Sequence, residues 1–148
     1  MSLGYEKVEL LHLPTPLEFL PSVSADLGIR LYMKRDDLTP LAIGGNKLRK
    51  LEYFLKDAQN SHATMLLTVG GAQTNHGRLT CAVARKYGMK GAIVTTDPCP
   101  EEISANLLLD TMMGCDVYFK KVKESQSQGD ALTEGINEVI RQKEAEGE

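Results

Sequence analysis

A lysine placed directly after two glycines and an asparagine is where this chain first suggests covalent chemistry. The stretch runs Gly44, Gly45, Asn46, Lys47, Leu48, Arg49, Lys50, Leu51, Glu52. Glycine and asparagine accept backbone conformations that other residues avoid, so 44–46 read as a tight loop. Leu48, Leu51, Leu55 and Ala58 recur at helical spacing, which predicts a helix from 47 to about 58. Lys47 then sits in its first turn, facing the positive end of the helix dipole, which favours the neutral amine. Burial, and Lys50 three residues on, push the same way. A neutral lysine amine attacks carbonyls and forms a Schiff base. The competing reading is two solvated lysines, the ordinary state of that side chain.

A second cluster follows at Gly70, Gly71, Ala72, Gln73, Thr74, Asn75, His76, Gly77 and Arg78. It lies where a strand's carboxyl end meets a helix N-terminus, the usual ligand position in open α/β sheets. Free amides and the helix dipole there suit a carboxylate or phosphate. Thr74, Asn75 and His76 offer a hydroxyl, an amide and an imidazole to the same space. Thr74 or Asn75 is equally a plain N-cap, with His76 on the helix surface. Asp97 follows the next strand at the distance of a ribose-binding acid, but the glycines do not follow the G-x-G-x-x-G spacing of a dinucleotide turn. Asp36 and Asp37 are adjacent and point different ways on extended backbone, so a structural task, pairing with Arg35 or capping amides, is expected of them.

Positioning these groups calls for alternating strands and helices. The prolines at 14, 16 and 21 make residues 5–22 an extended, turning lead-in. A helical turn over 22–27 stops at Gly28, a short strand spans 29–34, and a loop spans 35–40. The apolar run 64–69 is expected to be a strand buried on both faces of a parallel sheet. A helix from Thr74 or Asn75 reaches about Tyr87 and stops at Gly88. Then come a strand over 91–96, a helix over 101–113 ended by Gly114, a strand over 115–119, and a last helix capped by Asp130 that runs to about 144. This alternation predicts an α/β fold, a parallel sheet with helices on both faces.

Composition narrows the function classes. At 148 residues, the chain has the length of one ordinary domain with a real core. Seventeen basic residues against 20 acidic, with no basic stripe, exclude a nucleic-acid partner. Nothing approaches an apolar run able to span a membrane. Cys81, Cys99 and Cys115 are odd in number, with no Cys-x-x-Cys pair, which points to a reducing, cytoplasmic setting and away from zinc. His12, His62 and His76 form no local metal motif, so no metal site is expected.

Taken in order, four stretches resemble the D-cysteine desulfhydrase/1-aminocyclopropane-1-carboxylate deaminase family. These are pyridoxal-phosphate enzymes of fold type II, like the tryptophan synthase β-subunit. The stretches are Pro14-Thr15-Pro16-Leu17, residues 31–38 (LYMKRDDL), residues 44–52 (GGNKLRKLE) and residues 70–76 (GGAQTNH). The resemblance implies that Lys47 carries pyridoxal 5′-phosphate as a Schiff base and later acts as a base. It also implies that Asn75 hydrogen-bonds the 3′ oxygen of the ring, with Lys50 on the cofactor side. Thr74 and the amides after Gln73 would hold the substrate carboxylate, Asn75, His76 and Gln73 would be among the substrate-binding residues, and Thr74 stands where the family usually has serine. His76 resembles the desulfhydrase branch, where the deaminase branch tends to carry glutamine.

The function so implied is β-elimination from D-cysteine to pyruvate, ammonia and hydrogen sulfide. The alternatives are deamination of 1-aminocyclopropane-1-carboxylate to 2-oxobutyrate, or a non-catalytic α/β domain that binds an anion or a partner chain. A small amino acid is the expected substrate, and the full-length enzyme is expected as a homodimer. Residues 1–46 would belong to a large domain and 47–148 to a small one, incomplete at its C-terminal end. The phosphate cup of the family is not among these stretches, so the 148-residue chain alone is expected to bind the cofactor poorly and to be inactive.

Overall fold

The computed structural model describes residues 4–147. An antiparallel hairpin comes first: β1 (Leu17–Phe19) pairs with β2 (Tyr32–Lys34) in the register Leu17 to Lys34 and Phe19 to Tyr32. Helix α1 (Pro21–Leu27) lies between them and ends at Gly28, whose φ of 65° is the left-handed stop expected of glycine. β1 was hidden in the sequence because three residues between prolines show no periodicity. Its pairing with β2 is a long-range choice.

A single 3-10 turn (Asp36–Leu38) leads to the glycine loop and α2 (Leu48–Asn60). Thereafter β3 (Met65–Val69), α3 (Asn75–Lys86), β4 (Lys90–Thr95), α4 (Ala105–Met112), β5 (Asp116–Phe119) and α5 (Gln128–Ala145) alternate. The three strands form one parallel sheet in the order β3-β4-β5. Central β4 is buried from Gly91 to Thr95. On it, Ile93 would meet a Cβ placed at Gly77 of α3, whereas Val94 would meet one at Gly135 of α5. Adjacent strand residues point to opposite faces, so helices cover both sides, as the alternation predicts.

Three expectations need correction. Among the described residues β3 is an edge strand with no residue fully buried, because there only β4 pairs with it; an apolar run alone does not distinguish an edge from a centre. α4 starts at Ala105 instead of 101, since Ser104 is extended (φ −145°, ψ 169°) and Asn106 is bound to Gln73. Ser127, not Asp130, caps α5: its hydroxyl accepts from the Asp130 amide and donates to the Asp130 carboxylate.

The larger core packs Leu48, Leu51 and Leu55 of α2 against Leu79, Val83 and Ala84 of α3, with Leu10 and Met89. Each fully buried leucine contributes about 1.5–3 kcal/mol, and here the core also fixes where α2 begins relative to α3. Glu52 is buried on the same helix and accepts hydrogen bonds from the amides of Leu10 and Leu11 and from Lys7 Nζ at 2.5 Å. A buried carboxylate needs such partners, and these stitch the N-terminal segment to α2.

Candidate active site

The loop before Lys47 is built from backbone that glycine alone takes easily. Gly44 and Gly45 have φ of 75° and 139°, and a Cβ at Gly44 would overlap the Asp37 carbonyl. The Gly45 amide donates to Thr39 Oγ1 at 2.8 Å and to Asp36 O at 3.1 Å, so the loop folds back on the turn that precedes it. Lys47 is the cap residue of α2, with helical φ and ψ, and its carbonyl accepts from Leu51 N. It thus starts the helix, as expected, half-buried, its ammonium donating to Asn46 Oδ1 at 2.9 Å.

The Asp pair is structural. Asp37 takes both prongs of Arg35, as the sequence suggested. Asp36 instead takes Arg49, thirteen residues ahead, together with the Thr15 hydroxyl, and Arg49 with Thr15 holds its carboxyl down at about 2.

Across from this loop stands the N-terminus of α3. Thr74 is its cap, with Oγ1 accepting from the Gly77 amide at 3.2 Å. Gly70 and Gly71 leave room here, since a Cβ at the first would strike Thr74 and at the second Asp97. Asp97, set aside as a ribose ligand, accepts from the Ala72 amide at 2.7 Å and braces the turn.

A cavity of about 490 Å³ lies between the two segments, lined by Gly44, Gly45, Lys47, Thr74, Asn75 and His76 among others. Four of the sequence-derived candidates, Lys47, Thr74, Asn75 and His76, therefore share one space. Two do not line it. Gln73 is engaged with α4, its side chain donating to Ser104 O and accepting from Asn106 N. Lys50 is exposed, with Nζ over the Phe54 ring at 5.8 Å.

The Asn75 side chain has a defined direction. Its Oδ1 accepts from Asn106 Nδ2 at 2.9 Å and from Arg78 Nη2 at 3.4 Å, which leaves its amide hydrogens to donate elsewhere. His76 carries a buried Nδ1 with no hydrogen-bond partner among the described residues. Burial first, then the charges of Lys50 and Lys47, push its pKa below the ordinary value, so the imidazole is neutral at pH 7.

Arg78, Asn106 and the bracing role of Asp97 were missed in the sequence. Arg78 had a signal: it stands with Ala82 on the face of α3 that should be apolar, and a charge there asks for a buried task. Asn106 had none, because its partners lie about thirty residues away.

With this geometry in place, the comparison with known proteins decides the family. The sequence model for pyridoxal-phosphate dependent enzymes matches residues 8–146. The chain belongs to that family. It is 38% identical over 143 residues to the D-cysteine desulfhydrase of Klebsiella pneumoniae, covering 97% of this chain and 43% of that protein. It is 39% identical over 143 residues to a Pyrococcus furiosus protein named, provisionally, as a 1-aminocyclopropane-1-carboxylate deaminase, covering 97% and 42%. A crystal structure described as an ACC deaminase homologue superposes with a TM-score of 0.83 at 38% identity, covering 97% of this chain and 42% of that one. The chain thus spans a little over two fifths of the length of these relatives. The fold expected from the sequence, an α/β parallel sheet of the type II class, is the fold of this family member.

Among the described residues, no cluster of three or more His, Cys, Asp or Glu is placed to hold a metal, and no helix is long and apolar enough to cross a membrane.

The residues present fit the ring end of pyridoxal phosphate. An amine on a rigid helix start opens on the same cavity as an amide whose donors are left over and a helix N-terminus able to take an anion. When bound, that cofactor supplies an electron sink for negative charge developing beside the amino nitrogen of a substrate.

Proposed function

We propose that this chain carries the reactive-lysine half of a D-cysteine desulfhydrase-like site, which releases pyruvate, ammonia and hydrogen sulfide. The observation that carries the reading is that Lys47 and Asn75, fixed by different elements, line one cavity. In this reading Lys47 Nζ holds the cofactor carbonyl carbon and afterwards takes the α-proton of a small amino acid. The Asn75 amide donates to the ring oxygen. The Thr74 hydroxyl and the first-turn amides of α3 bind the substrate carboxylate, where backbone donors and helix dipole act together. His76, neutral, borders the substrate position and adds no competing cation. Lys50 acts from outside the cavity, through its charge, and Gln73 through its backbone.

The division into 1–46 and 47–148 belongs to the same proposal, supported by β1 and β2 pairing with each other and not with the parallel sheet. So do a cytoplasmic location, supported by three unpaired cysteines, and a homodimer for the full-length enzyme, supported by the resemblance.

Deamination of 1-aminocyclopropane-1-carboxylate is the second reading, favoured by the names of the Pyrococcus relative and the crystallised homologue. Product analysis of the full-length protein separates them: pyruvate from D-cysteine supports the first, and 2-oxobutyrate alone, from the cyclopropane substrate, replaces it with the second. For the 148-residue chain the test is borohydride trapping with millimolar pyridoxal phosphate, followed by peptide mapping. Weak binding with the label concentrated on Lys47 is expected, and Lys47→Arg abolishes it. Label spread evenly over the lysines overturns the assignment.

A further inference from the structure

One side chain joins the two segments that face each other across the cavity. Arg78 is 3% exposed on the first turn of α3. Its Nη2 donates to the Gly44 carbonyl at 3.0 Å, three residues before Lys47, and to Asn75 Oδ1 at 3.4 Å. Among the described residues its Nε and Nη1 are buried without a hydrogen-bond partner. So are both oxygens of Asp110, a wholly buried carboxyl on α4 that acts on Arg78 through space. A guanidinium buried at this expense for so few bonds is not explained by stability, since an apolar side chain of its volume packs as well or better. What it does achieve is geometric: one planar, charged group spans the lysine loop and the amide opposite. Gly44 and Gly45 have positive φ, so that loop has other conformations within reach and needs an external hold.

We propose that Arg78 is a positioning residue. It sets the place of Lys47 through the Gly44 carbonyl and the direction of the Asn75 amide through Oδ1, with Asp110 on α4 as its buried counter-charge. The proposal rests on the reading of the cavity given above. Arg78 does not touch the reacting atoms; it acts through the loop and through Asn75. Lysine does not replace it, because an ammonium on a flexible stem lacks the rigid fork needed to hold two acceptors at once.

The test compares the wild-type chain with Arg78→Lys and Arg78→Gln by two readouts. The first is borohydride trapping of pyridoxal phosphate at Lys47, normalised to exposed Lys121 in the same sample. The second is the pair of Asn75 side-chain amide resonances by 15N NMR without cofactor. In folded Arg78→Lys, the Lys47 to Lys121 ratio is expected to fall about tenfold, the usual effect of losing a charge-assisted hydrogen bond. The Asn75 resonances are expected to move, although charge is retained. A folded Arg78→Lys with both readouts unchanged overturns the proposal. If the wild-type chain shows no preference for Lys47, the cofactor reading fails, while the Asn75 resonances still decide the positioning role. If neither variant folds, the wild-type guanidinium decides: resolved, slowly rotating Nη signals of Arg78 support the hold, and averaged ones refute it.

Discussion

Asp36 and Arg49 face each other in a two-pronged pair, Nε to Oδ2 at 2.6 Å and Nη2 to Oδ1 at 2.7 Å. The pair fastens the turn before the glycine loop to the helix after it, so Lys47 is gripped from both sides in sequence. Thr15 joins from the N-terminal segment, its hydroxyl donating to Asp36 at 2.7 Å. Three separated positions thus converge to hold one loop.

Removing that grip has a signed pH dependence. The Asp36 carboxyl is held at about 2, below its ordinary 3.8, so its contribution is full above about pH 4 and is lost as pH falls towards 2. Asp36→Asn is expected to lower stability by about 1–2 kcal/mol at pH 7, Arg49 being partly exposed. The gap to wild type should close in urea titrations between about pH 4 and pH 2. A gap independent of pH would show that the pair contributes nothing.

Gly44 is a steric requirement of the same loop. With φ of 75° and the Asp37 carbonyl where a Cβ would stand, Gly44→Ala must displace the backbone before Lys47. A loss of about 2–4 kcal/mol is expected, read as a fall in Tm of roughly 5–12 °C. An alanine variant melting with wild type would refute the overlap.

His76 reports the charge around the cavity. Burial, Lys50 and Lys47 all lower its pKa, so it titrates below 6.5, and its contribution to stability is present above that value and is lost as pH falls through the folded midpoint. Lys50→Met should raise the NMR midpoint of His76. No movement with Lys50→Met would mean that the lysine charge does not reach the ring.

Asp110 carries the opposite sign. Burial raises its carboxyl to about 6 despite Arg78, so the stability it is linked to is full below about pH 4 and lost as pH rises from there to 6. The span corresponds to on the order of 2–3 kcal/mol. The stability of wild type minus that of Asp110→Asn should therefore decline across that window, measured by denaturant titration at fixed ionic strength. A flat difference would place the Asp110 titration elsewhere.

Much of the site was legible because its signals are local. The Gly44–Lys47 loop, the Thr74 cap and the stops at Gly28 and Gly88 each depend on residues within a turn of one another, where glycine and hydroxyl chemistry leaves few choices. Asp36 was read correctly as structural but given the wrong partner: Arg35 is adjacent, whereas Arg49 arrives only when α2 folds back over the turn. α4 was started four residues too early for the same reason, since Gln73, not a local breaker, sets its start.

Residue order and spacing were therefore enough for the α/β alternation, for Lys47 at a helix start and for a cap at Thr74 or Asn75, because dihedral preference and apolar period act over a few residues; the structure chose Thr74. Which strand is the edge, which arginine meets Asp36, and how the amide of Asn75 points were settled only by packing. Those depend on groups well separated in sequence, Asp36 with Arg49 thirteen residues on, Arg78 with the Gly44 carbonyl and Asn106 with Asn75 more than thirty apart, whose meeting is fixed by α2 and α4 each packing against α3.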